Sequence, residues 1–205
     1  MATLVLVHGG LWDDTDAESF WLRTGVVDAL RAAGCAVSAP DRPRRAASWA
    51  AEAEHLAGLL PPGPVTLVAG SNGGSAAVAL ALSRPVLVER LILCWPATAG
   101  DPAVDEPTRA GLRAAGADPE TVDGLLAGGA LRGFTDEQLA ALPVPLAVLP
   151  AVPENTTHRR ATVDAVIKVV PRAVELPGTP PPPDPGFPSY LEHFTSAVCT
   201  FTVTP

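Results

Sequence analysis

Val65-Thr66-Leu67-Val68-Ala69-Gly70-Ser71-Asn72-Gly73-Gly74 is the stretch whose reading decides the fold. Residues 65–69 are mostly apolar with little alternation, which reads as a strand covered on both faces. Residues 72–83 are rich in Gly and Ala, so a helix there can lie very close to a sheet. Ser71 stands between the two, with Ala69 two residues before it and Gly73 two after. A strand that turns sharply into a helix around such a serine is the nucleophile-elbow pattern. The backbone is strained, the neighbours must be small, and the hydroxyl is exposed at the strand tip. The Asn72 N–H then points, with the helix dipole, at a developing oxyanion. A Gly-rich turn before a packed helix is the plainer alternative.

Working outward, similar apolar runs recur at 3–7, 36–39, 91–94, 146–149 and 173–176. Helical patterns separate them. Phe20, Trp21, Val27 and Leu30 can share one face, with Gly34 as a stop. Ser48 can cap a helix over 49–60 that halts at Pro61-Pro62. Strand and helix alternate, which predicts an α/β fold: a doubly wound, mostly parallel sheet of about six strands. Residues 101–142 hold no strand run. Asp118-Pro119 reads as an N-cap followed by Pro at the first helical position, and Thr135 to Gln138 as a capping box. The expectation is one domain over residues 1–205, with 101–142 a small helical cap inserted between the fourth and fifth strands.

Composition narrows the function. The chain has 205 residues, is 47% hydrophobic and carries a net charge of −8, so it can bury a sizeable core and offers no basic stripe for a phosphate backbone. Nucleic acid is not an expected partner. No run of ~18 apolar residues exists to span a membrane, and the opening apolar run is too short and lacks the basic leader of a signal peptide. Three scattered cysteines without zinc spacing read as reduced buried thiols. The expected setting is the cytoplasm, with a small-molecule substrate, no cofactor and no metal.

A second signal is the first strand ending in His8-Gly9-Gly10. Such an end leaves backbone N–H groups free near Gly10 and Leu11, which would supply the other half of an oxyanion hole. The first and third strands should be neighbours, and their junction is the point where ligands bind in such sheets.

With these residues in place the chain resembles the α/β-hydrolase superfamily over nearly its whole length. The carriers are His8-Gly9-Gly10, Ala39-Pro40-Asp41, Ala69 to Gly74, Val144 to Pro150 and Val174-Glu175-Leu176-Pro177-Gly178. It looks like a minimal member that starts at the family's third strand. The resemblance implies Ser71 as nucleophile and an acid in the loop after strand 146–149, where Glu154 stands. The family's catalytic histidine follows the last strand. Here that segment, 178–188, holds prolines and no histidine. Of the four histidines, His158 lies four residues past Glu154 and could act as a relocated base; His8 beside the oxyanion loop is a second candidate. His193 falls off the apolar stripe of the last helix, and His55 sits in an amphipathic helix. A site without any histidine base stays open.

Trp12 and Trp95 follow the first and fourth strands and would form a substrate wall for an apolar group, or else pack the cap onto the sheet. Arg42, Arg44 and Arg45 could meet an anion but read more simply as a solvated basic loop. Two functions of different class follow. One is a serine hydrolase of the esterase type, acting on an ester, thioester or amide of a small apolar substrate: Ser71 attacks, the amides of Asn72 and Gly10 or Leu11 hold the oxyanion, and His158 with Glu154 moves the proton. The other is a non-hydrolytic protein of the same fold, binding a ligand or acting as a lyase or cyclase, because the usual histidine position is proline. Phosphate binding by Gly70, Gly73 and Gly74 is disfavoured, since neither G-x-G-x-x-G nor a Gly-Lys-Ser/Thr run is present.

Overall fold

The computed structural model describes residues 2–182 and 184–203; Pro183, within the proline run, lies outside them. Six strands form one sheet in the order β2-β1-β3-β4-β5-β6. They are β1 Thr3–Val7, β2 Ala36–Ser38, β3 Val65–Gly70, β4 Val88–Cys94, β5 Leu146–Leu149 and β6 Val174–Glu175. Every pairing is parallel. The order runs outward in both directions from β1 and β3, so their carboxyl ends form the switch point of a doubly wound sheet.

Strand alternation divides the core. Val5, Val7, Leu67, Ala69, Leu91 and Leu93 face one side, with α2 (Trp49–Ala57), α3 (Gly73–Ser83) and α7 (Arg160–Val169). Leu4, Leu6, Val68, Ile92 and Cys94 face the other, with α1 (Val26–Ala32) and α8 (Leu191–Val203). The continuous apolar runs of the sequence are this two-sided burial. Helices α4 (Pro102–Ala114), α5 (Pro119–Leu126) and α6 (Asp136–Ala140) lie between β4 and β5. Asp118 accepts from Thr121 N, Thr135 and Gln138 form a reciprocal capping box, and Ser48 accepts from Ala51 N at the start of α2.

Three local readings shift. Phe20 and Trp21 lie on a separate π-helical turn, Glu18–Leu22, which Gly25 at φ 79° breaks from α1. Helix α2 stops at Ala57, before the prolines. Strand β6 keeps only two residues, because it borders only β5 and its exposed edge rewards little length. Among the cysteines, Cys94 is buried, while Cys35 and Cys199 are half-exposed with sulfurs 3.9 Å apart.

Candidate active site

Ser71 closes β3 in the left-handed region, at φ 51°, where a non-glycine residue is strained. Its N–H donates to Cys94 O at 2.9 Å, which anchors the turn to β4. Helix α3 then starts so close to β1 that a Cβ on Gly73 would lie 2.3 Å from His8 O and 2.8 Å from Val7 O. That contact is why the residue two after Ser71 has no side chain. On the other flank, a Cβ on Gly9 would lie 3.1 Å from Ser71 Cβ. The His8-Gly9-Gly10 turn therefore abuts the serine. Among the described residues, the N–H groups of Gly10 and Asn72 donate to no other group. Leu11 differs from the sequence expectation: its N–H is taken by Asp13 Oδ2 at 3.1 Å, so it is not free to receive an oxyanion.

Arg42 holds that turn in shape. One guanidinium nitrogen, Nη1, donates to the carbonyls of His8, Gly9 and Gly10 at 2.9, 2.7 and 3.0 Å. Nε and Nη2 form a two-pronged pair with Glu52 at 2.6 and 2.8 Å. Both side chains are buried. With three successive carbonyls drawn to one cation, the turn is shaped from behind. Arg42 N also donates to His8 Nε2, so His8 carries its proton on Nδ1 and gives it to Gly9 O. Burial, and secondly the Arg42 charge, push the His8 pKa down. His8 is thus a brace, and the solvated-loop reading of Arg42 is corrected. The available signal was Glu52. It shares the face of Trp49, Ala53 and Leu56, where a carboxylate needs a buried cation. Arg44 does lie at the surface, against Asp14.

His158 lies on the loop between β5 and α7, and its Nε2 is 3.0 Å from Ser71 Oγ. Thr98, buried after β4, sews this loop down. Its N–H donates to Thr157 O and its Oγ1 to Thr156 O, while Arg159 N donates to Thr98 Oγ1. Arg159 also pairs with Asp101. The other imidazole nitrogen, Nδ1, faces Thr157 Oγ1 at 3.3 Å. Glu154 is not the partner expected from sequence. Its Oε2 accepts from Arg160 N at 2.7 Å, where the free N–H groups at the start of α7 draw a carboxylate. No hydrogen bond or ion pair joins it to His158 among the described residues.

Burial, and secondly the charge of Arg132, pull the His158 pKa down to about 4. Arg132 is itself buried and donates to Asn72 Oδ1 and Asp105 Oδ1, each at 3.0 Å. Its position in the long segment between β4 and β5 gave no sequence signal.

A cleft of about 320 Å³ opens over Ser71. Leu11, Phe20, Ala97 and Val104 supply apolar wall; Asn72, Thr108, Arg132 and Asp13 supply polar groups. Neither expected tryptophan lines it. Trp12 donates from Nε1 to Ala46 O and packs toward Leu112 and Val122 of α4 and α5. Trp95 is fully buried, donates to Thr179 O at 2.8 Å, and stacks on Phe194 at 5.4 Å. Its left-handed backbone, φ 47°, turns the ring away from the cleft into an aromatic cluster. The segment after β6 thus gives Trp95 a carbonyl partner. His55 bonds Asp41 O, and His193 is exposed.

No protein-family model matches the chain, and no curated protein does. Solved structures do. A meta-cleavage product hydrolase from Pseudomonas fluorescens, crystallised with acetates, superposes with a TM-score of 0.70 at 19% identity, over 98% of this chain and 90% of that one. A thermophilic esterase from Thermogutta terrifontis gives 0.69 at 20% identity, over 100% and 91%. A carboxylesterase from Bacillus subtilis gives 0.64 at 17%, over 97% and 84%. The fold is that of the α/β-hydrolases. No helix among the described residues is long and apolar enough to cross a membrane.

Proposed function

We propose that the protein is a serine hydrolase that cleaves an ester, thioester or amide of a small, largely apolar substrate. The observation that carries this reading is the 3.0 Å contact between Ser71 Oγ and His158 Nε2, made at a strained elbow beside two unpaired N–H groups. His158 takes the Ser71 proton as Oγ attacks the acyl carbon. The Gly10 and Asn72 amides receive the oxyanion, which they can do without reorganising. The Arg132 cation, tied to the Asn72 side chain, adds positive potential at the same place. The adduct collapses as His158 returns the proton to the departing alcohol, thiol or amine; water then attacks the acyl-serine with His158 again taking the proton, which goes back to Ser71 Oγ as the acid leaves. The solved relatives described as hydrolases and esterases support the same class of reaction.

The test is labelling with a fluorophosphonate, read by intact mass. One adduct on the wild type, lost in Ser71→Ala and strongly slowed in His158→Ala, is the expected result. A folded wild type that takes no adduct overturns it and leaves a ligand-binding or lyase role for the cleft.

A further inference from the structure

Among the described residues the imidazole of His158 touches no carboxylate, yet its tautomer is determined. Asn155 Oδ1 accepts from three donors: Thr157 N at 3.0 Å, His158 N at 3.0 Å and Thr157 Oγ1 at 2.8 Å. Two of these are backbone N–H groups, so an oxygen and not an amide nitrogen must stand there. The Thr157 hydroxyl has one proton and spends it on Asn155. It can offer only lone pairs to His158 Nδ1, 3.3 Å away. Nδ1 therefore carries the imidazole proton, and the lone pair of Nε2 faces Ser71. This is the tautomer a general base requires, selected by neutral groups.

In the usual serine triad a carboxylate does two things. It orients the imidazole and it stabilises the imidazolium that forms. A threonine and an asparagine can do only the first. Arg132, the charge that acts on His158, opposes the second. The cost of this arrangement grows with the positive charge that His158 bears in the transition state. An activated acyl group is attacked early, before the serine proton has moved far. A sluggish one, such as an amide, needs the transfer almost complete.

Resting on the Ser71 reading above, we propose that Thr157 and Asn155 are positioning residues standing in for the acid, and that this neutral relay confines the site to activated acyl groups, thioesters and aryl esters, while amides are left intact. In the step itself, the Ser71 Oγ–C bond forms, the proton passes to Nε2 and the carbonyl π pair moves to the oxyanion. On collapse the bond from the acyl carbon to sulfur, or to the phenolic oxygen, breaks. The pair departs on the thiolate or phenolate, which recovers the proton from Nε2 or solvent.

The experiment compares phenyl acetate, 4-nitrophenyl acetate and S-phenyl thioacetate with 4-nitroacetanilide on the wild type, Thr157→Val and Thr157→Ser. The wild type is expected to turn over both esters and the thioester, faster as the leaving group becomes more acidic, and to leave the anilide uncut. Thr157→Val keeps the shape but removes the hydroxyl. Thr157 is exposed, so the loss is that of one ordinary hydrogen bond: kcat should fall about 3- to 10-fold, with KM within about twofold. Thr157→Ser should recover most of the loss. Wild-type kcat in Thr157→Val, anilide cleavage at a rate comparable to the esters, or no turnover of any activated acetate overturns the relay. Fluorophosphonate labelling of the same samples separates the failures. An adduct on Ser71 with any of those results sinks the relay alone, whereas no adduct sinks the nucleophile and the relay together.

Discussion

His158 Nε2 stands 3.0 Å from Ser71 Oγ although 87 residues separate them in the chain. The loop that carries His158 is tied to the segment after β4 by Thr98, through one hydroxyl that both donates and accepts. Thr98→Val keeps the shape and removes both bonds. Losing two partly buried hydrogen bonds is expected to cost about 1–2 kcal/mol in urea unfolding. The rate of fluorophosphonate labelling should fall as well, because the base drifts from the serine. Full labelling speed in the variant would show that the loop is held without Thr98.

With His158 as the proposed base, its depressed pKa is expected to set the acid limit of activity. A base must be unprotonated, so labelling and turnover should stay level from neutral pH downward and fall only near pH 4, well below the usual histidine midpoint near 6.5. Stability follows the same linkage. His158 and His8 both hold their protons more weakly folded than unfolded. Their contribution is complete above pH 6.5 and is lost as pH falls from there toward the folded values. The urea midpoint should therefore drop between pH 7.5 and 5, and drop less in His158→Gln. A labelling limb centred near 6.5 would contradict this.

Arg42 combines two roles that a pair of variants separates. Arg42→Met alone strands Glu52 in the core and should cost about 3–5 kcal/mol. Arg42→Met with Glu52→Leu removes both charges and should regain most of that stability. Labelling of Ser71 should stay slow in both, because the three carbonyls of the oxyanion turn lose their common donor. If the double variant labels at the wild-type rate, the turn keeps its shape unaided.

Two glycines should respond in opposite senses. Gly73→Ala drives a methyl into backbone oxygens at 2.3 and 2.8 Å, which cannot yield without moving β1 or α3. It should unfold the protein or abolish labelling. Gly124 lies inside α5, and a Cβ there meets nothing within 4 Å. Gly124→Ala should raise stability by about 0.5–1 kcal/mol, measured by thermal melting, with labelling unchanged.

The fold was legible because burial on two faces leaves a mark on each strand. Residues 65–69 and 91–94 could be read as parallel strands, and Ser71 with Gly73 as a tight crossing, from local sequence alone. The helix starts at Ser48, Asp118 and Thr135 were equally local, since a cap is a contact over three residues. The site was legible only in part. Partners far apart in sequence leave no local pattern, so Thr98 and Arg132 were invisible. Glu154 misled because a carboxylate near a helix start has two favourable destinations, and the free N–H of Arg160 at the start of α7 takes it although the imidazole is nearer along the chain. Trp95 misled because its place after β4 was read without its backbone, whose left-handed turn sends the ring to the opposite side.

Thr179 O, bonded to Trp95 Nε1, occupies the stretch where the resemblance placed a histidine. With the proposed base on the loop before α7, the described residues beyond β6 supply no group to the proposed chemistry. Thr179 pairs with Pro150 and Val152 at the root of the His158 loop, so only residues past it are expected to answer to folding alone, while residues 154–159 answer to folding and reactivity at once. A library randomised in the proline-rich segment should then lose activity only where it loses soluble protein. On the proposed reading durability and rate have separate dials, and the stretch past Thr179 can be retuned for the first without touching the second.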